Sequence, residues 1–122
     1  MNPGEAVTGA YAALAQRAWM SNRARAAELT RLVDSWQTAG GLPHEGREQV
    51  REIAHSLRGS AGTFGHDRAA EAAQALELLL VTEHAPQLAV VADLVAQIHV
   101  GLADPPVAQP FPEDPEQGVL IG

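Results

Sequence analysis

The stretch Ala54 to Gly65 reads AHSLRGSAGTFG and sets one histidine, His55, three residues before Arg58 and four before Gly59. A neutral imidazole is a nitrogen nucleophile. An unperturbed ring titrates near pH 6.5, so about three-quarters of such rings are uncharged at pH 7. Its free nitrogen can attack an electrophilic phosphoryl group and hold it as a phosphoramidate that passes readily onward. Arg58, one turn along, has the planar fork that meets phosphate oxygens bidentately. Such transfer also needs charge neutralisation, usually by Mg²⁺. No aspartate cluster for Mg²⁺ is present, and GSAGTFG lacks the GK[ST] of a phosphate-cradling loop. The metal and the remaining machinery therefore have to come from a partner. The expected role is a phosphocarrier without autonomous catalysis, with no cofactor or metal site of its own.

The glycines sharpen this reading. Each glycine inside a helix costs about 1 kcal/mol relative to alanine, and the run holds Gly59 and Gly62 before Gly65. On a wheel of about 100° per residue, Val50, Ile53, Ala54, Leu57, Ala61 and Phe64 form an apolar stripe. His55 falls about 140° from Val50, with Arg58 near 80°, Gly62 near 120° and Gly59 near 180°. The imidazole thus faces solvent, and the glycines around it leave room for another protein to approach. Glycines tolerated near a weak helix end are the plainer explanation, and spacing alone leaves both open.

The element carrying His55 needs a neighbour. With a turn at Gly65-His66, residues whose numbers sum to about 131 face each other across an antiparallel hairpin. That sets His55 level with Leu76 and Glu77, and Arg58 level with Ala73 and Gln74. Glu77 lies at the edge of the stripe Ala69, Ala73, Leu76, Leu80 and can lean toward the imidazole. An acceptor on one ring nitrogen fixes the tautomer and frees the lone pair of the other. An ordinary surface carboxylate is the alternative for Glu77.

The rest of the chain reads as helices. Of its 122 residues 46% are hydrophobic but only 4% aromatic, and alanine and leucine dominate, a composition of helix formers. No alternating strand pattern appears. Asn2-Pro3-Gly4-Glu5 resembles a capped helix start, followed by Val7, Tyr11, Leu14 and Ala18 at helical spacing. Ser21 can cap a second helix with the stripe Leu29, Leu32, Val33 and Trp36, and a kink near Trp19–Asn22 or a straight run are both allowed. Gly40-Gly41 ends that segment. Pro43 opens the helix of His55, Asp67 caps the next over about 67–82, and Pro86 begins the last, with Leu88, Val91, Val95, Ile98 and Leu102. Trp19, Trp36 and Phe64 are read as core. The expectation is all-α: an antiparallel four-helix bundle over 1–102 with an additional N-terminal helix. Residues 103–122, rich in Pro and acid, read as a linker or tail. Its final Val119-Leu120-Ile121 is either a frayed end or the first strand of a further domain.

Charge and composition narrow the partners. The net charge is −7, with eight basic residues, all arginine, which disfavours nucleic acid. Without cysteine there are no disulfides or thiolate metal sites. No long apolar window and no signal pattern occur, which predicts a cytoplasmic protein with no membrane partner.

His55-Ser56-Leu57-Arg58-Gly59-Ser60-Ala61, with Gly65 ten residues after the histidine, resembles the signature of histidine phosphotransfer (HPt) domains, H-x-[L/I]-[K/R]-G-[S/G]-[S/A]. The run is similar to the N-terminal phosphotransfer domain of chemotaxis histidine kinases and to HPt modules of hybrid two-component regulators. The resemblance implies a bundle that takes phosphate on His55 through Nε2 and exchanges it with an aspartate of a receiver domain. It implies a response-regulator receiver, a histidine kinase or both as partners, Mg²⁺ from that partner, and a monomer. It places Gly59 as the close-approach glycine, Glu77 as the partner of Nδ1 and Gln74 as a further polar neighbour. Arg58 stands where lysine is common, and Ser60 replaces a glycine frequent in the chemotaxis versions.

Two rival classes remain. A histidine-kinase dimerisation helix also exposes a histidine, but typically follows it with an acid and, further on, a proline. Here Ser56 follows, and no proline lies between 44 and 85. A helical adaptor that binds a partner without carrying phosphate is the other. Metal binding is the weakest reading, because His44, His55, His66, His84 and His99 have no i, i+3 or i, i+4 partners among themselves.

Overall fold

A computed structural model describes residues 3–41 and 43–107. Four helices follow one another: α1 (Pro3–Ala39), α2 (His44–Thr63), α3 (Asp67–Thr82) and α4 (Leu88–Gly101). α1 packs on α2 and α4, α2 on α3, and α3 on α4, while the backbones of the two diagonal pairs stay apart among the described residues. The result is an antiparallel square bundle, as the stripe pattern predicts.

The separate N-terminal helix is a correction. Its residues and those of the expected second helix form one element of 37 residues, about 55 Å long at 1.5 Å per residue. Ser21 therefore lies mid-helix and caps nothing, and the Asn2 cap falls outside the described residues. No glycine or proline occurs between Gly9 and Gly40 to break the helix. Asn22 shows why the polar pair there does not terminate it. It is buried, its Nδ2 donates to Ser60 Oγ at 3.1 Å, and its Oδ1 accepts from Arg25 Nη1 at 2.8 Å. A side chain satisfied across a helix–helix seam does not compete for its own backbone.

The core is built from the expected stripes. Leu29, Val33 and Trp36 of α1 meet Val50, Ala54, Leu57 and Ala61 of α2, Ala69, Ala73 and Leu76 of α3, and Val91, Val95 and Ile98 of α4. Leu14 is a second correction: it is exposed, and Ala15 is buried in its place. Trp36 is buried, whereas Trp19 is only partly so, its indole N–H donating to the Leu102 carbonyl at 2.8 Å. Phe64 is likewise half-buried, with its ring centroid 6.0 Å from that of Tyr11.

Two glycines permit close packing. A Cβ on Gly46 would lie 2.6 Å from Trp36 Nε1, and one on Gly101 would lie 2.5 Å from the Ala69 backbone nitrogen. Arg47, beside Gly46, reaches across to α3 and donates to the carbonyls of Leu80, Glu83 and His84. Leu80 offers one of the orphan acceptors that a helix leaves at its C-terminus, and Glu83 and His84 follow just beyond it. The tight hairpin joining α2 to α3 uses Gly65 at φ +88, a region costly for residues with a Cβ. Asp67 is the first residue of α3 and not its cap. His66 holds the cap position, without a side-chain capping bond.

Candidate functional site

His55 lies on the outer side of α2, opposite the stripe that locks the helix into the core. Its side chain is 62% exposed, whereas Ala54 and Leu57 beside it are fully buried. The hairpin sets the register of the facing helix. Gly62 of α2 comes within 3.6 Å (from its would-be Cβ) of Ala70 Cβ on α3, and the same offset brings His55 opposite Glu77. Nδ1 of His55 lies 2.8 Å from Glu77 Oε2. The carboxylate can only accept, so the ring donates from Nδ1, and Nε2 carries the lone pair. Nε2 has no hydrogen-bond partner among the described residues.

Glu77 holds a second group. Its Oε1 accepts from Arg58 Nη1 at 3.2 Å, so one carboxylate, itself only 15% exposed, aims the imidazole and anchors the arginine. That link places Arg58 one turn beyond His55 on the side facing α3. Among the described residues Gln74 makes no hydrogen bond to the ring. It is exposed and shares with Arg58, Asp67, Ala70 and Glu71 an open hollow of about 460 Å³.

The glycines separate into two roles. A Cβ on Gly59 would meet nothing within 4 Å, so this position is bare on the outside, one turn from the imidazole. Gly62 faces Ala70 and belongs to the α2–α3 seam. The sequence wheel set both on the open face, and both are exposed; a Cβ on Gly62 would touch Ala70 at the edge of the seam, whereas one on Gly59 would touch nothing.

Asn22, Arg51 and Glu48 escaped the sequence reading. Asn22 pins Ser60, the residue after Gly59, to α1. The signal was an asparagine continuing the α1 stripe four residues before Ala26 and seven before Leu29. Arg51, four residues before His55, donates from Nε and Nη2 to Glu48 Oε2 at 3.3 and 3.1 Å. Glu48 holds the guanidinium above its ordinary value, with smaller pulls from Glu52 and Glu77. The arginine in turn holds the Glu48 carboxyl below the usual range. Among the described residues no three His, Cys, Asp or Glu side chains gather into a metal-holding group. No described helix is long and apolar enough to cross a membrane.

An exposed histidine with one nitrogen engaged, a bundle that carries it on its flank, and the H-x-L-R-G-S-A run together define a class of signalling module. The Hpt domain family model matches residues 13–104, and the chain belongs to that family. Hpt domains serve the phosphorelays of two-component signalling, where they meet histidine kinases and receiver domains. No curated protein and no solved structure matches the chain.

Proposed function

We propose that this domain is a phosphorelay carrier in which Nε2 of His55 accepts a phosphoryl group from the aspartyl phosphate of a receiver domain and returns it to such an aspartate. One observation carries the reading: Nδ1 is held 2.8 Å from Glu77 Oε2 while the side chain stays 62% exposed. In the forward step the Nε2 lone pair forms the N–P bond as the P–O bond to the receiver's carboxylate breaks and its electron pair leaves with that carboxylate. The ring becomes cationic, its Nδ1 proton stays in the hydrogen bond to Glu77, and the carboxylate offsets the new charge. The reverse step retraces this path. In this scheme Arg58, tethered to Glu77 one turn from His55, pairs with a phosphoryl oxygen, and bare Gly59 leaves room for the receiver's surface. Mg²⁺ belongs to the receiver in this scheme, and the domain supplies neither metal nor general base.

In this reading residues 1–102 form a cytoplasmic, monomeric carrier and residues 103–122 a linker or tail. The test mixes the protein with receivers phosphorylated by a small phosphodonor. Acid-labile, base-stable label is expected on the wild type and none on His55→Gln, whose fold is expected to be unchanged because the ring lies outside the core. Equal labelling of both proteins would overturn the proposal. A helical adaptor would bind the receiver in both forms and take label in neither.

A further inference from the structure

Arg51, His55 and Arg58 occupy positions i−4, i and i+3 on α2, which places all three on one side of the helix. Helical side chains lean back toward the N-terminus. Arg58 obeys this, reaching back to the carboxylate that also holds His55. By the same lean the imidazole is carried toward the turn that holds Arg51, whose own guanidinium leans on toward Glu48 and would swing back to meet a group on the ring. Arg51 is also close to α3, since it lines one hollow with Leu80 and Val81 of that helix, and Glu77 acts on its charge.

The two arginines are held differently. Arg58 is tied to Glu77 Oε1, and releasing it would disturb the carboxylate that fixes the ring. Arg51 is tied to Glu48, which touches neither His55 nor Glu77 through any hydrogen bond among the described residues. The Arg51–Glu48 pair is partly exposed, with side chains 35% and 46% accessible, and such pairs contribute little stability. A phosphoryl group on Nε2 brings close to two negative charges and three acceptor oxygens. Such a group offers the guanidinium more charge than the single negative charge of the Glu48 carboxylate and oxygens placed for a bidentate bond.

We propose that Arg51 is a second phosphoryl-binding residue, held in reserve by Glu48 and transferred to the phosphoryl oxygens when His55 is modified. The inference rests on the phosphocarrier reading. Arg58 keeps the imidazole–Glu77 pair in place through both states, while Arg51 changes partner. Glu48 thereby sets how strongly the phosphorylated form is favoured.

The test needs no partner protein. His55 is phosphorylated with potassium phosphoramidate, whose P–N bond breaks with loss of ammonia as the new N–P bond forms, and the phosphorus resonance is titrated by NMR. Wild type, Arg51→Ala, Arg51→Lys and Glu48→Gln are compared, with circular dichroism on each. In Arg51→Ala the midpoint of the phosphoryl titration is expected to move upward by about one pH unit, the lower end of the shift that one neighbouring cation produces. Arg51→Lys should fall between it and wild type. Glu48→Gln should move the midpoint downward, because the arginine is released toward the phosphoryl group. A midpoint in Arg51→Ala equal to wild type, or one in Glu48→Gln that rises, would overturn the proposal. Failure of His55 to take phosphate from a phosphorylated receiver would instead remove the phosphocarrier reading beneath it, so the two failures are distinguishable.

Discussion

Glu77 offers one carboxylate oxygen to His55 and the other to Arg58, and both contacts depend on a side chain that is mostly buried at the rim of the α2–α3 seam. Replacing Glu77 by Gln keeps an acceptor for Nδ1–H but removes the charge that offsets the cationic ring. The expected loss in single-turnover transfer from a phosphorylated receiver is about tenfold, the scale of one hydrogen bond to a charged group. Glu77→Ala should lose more, because the tautomer is no longer fixed. A rate within twofold of wild type in both variants would remove Glu77 from the chemistry. Gly59 permits a sharper test, since nothing lies within 4 Å of a Cβ there. Gly59→Leu should leave the fold as stable as wild type or up to about 1 kcal/mol more so, while slowing transfer severely. Stability by urea denaturation must then hold or rise while the transfer rate falls, and unchanged transfer would show that the bare face is not a docking face. At this scale the sequence was informative. The hairpin register brought Glu77 to His55 because only a glycine turn and two stripes were needed to set it. The tie between Glu77 and Arg58 was not legible, because helical register gives the level of a side chain and not which of two acceptor oxygens it reaches.

Within the elements, the continuity of α1 and its polar contact with α2 were the features that pattern reading left open. Ser21-Asn22 has the composition of a cap, and only the position of Ser60 across the seam shows that Asn22 is satisfied elsewhere. Removing that side chain by Asn22→Ala should cost about 1–3 kcal/mol in urea denaturation, the penalty for unsatisfied buried partners. Ser60→Ala on the same background should cost less than it does alone, since the two residues share one bond. Additive losses would mean that the contact contributes nothing. The apolar stripes of α2, α3 and α4, by contrast, were legible almost residue by residue, because an amphipathic period leaves few choices for the buried face. Leu14 is the exception. The stripe of α1 there is set by where its partners end, information that no local window contains.

Across the whole molecule, the same substitution should have opposite signs at two glycines. Gly59→Ala meets open space and should stabilise the protein by about 0.5–1 kcal/mol through helix propensity. Gly101→Ala would place a methyl 2.5 Å from the backbone nitrogen of Ala69, and a rigid neighbour forces α4 away from α3. A loss of about 1–3 kcal/mol is expected, again by urea denaturation, and two shifts of the same sign would contradict the packing described. The sequence wheel set Gly59 on the open face, but no local pattern shows that Gly101 lies against the Ala69 backbone. It did set His55 on the solvent side of its helix, and the central claim is that this ring is presented asymmetrically. The most direct measurement is nitrogen-15 NMR of the ring after phosphoryl transfer from a receiver, with scalar coupling to phosphorus identifying the bonded nitrogen. The account predicts phosphorus on Nε2 of His55, with Nδ1 still protonated and bonded to Glu77. Phosphorus on Nδ1, or on any other histidine of the chain, would contradict it.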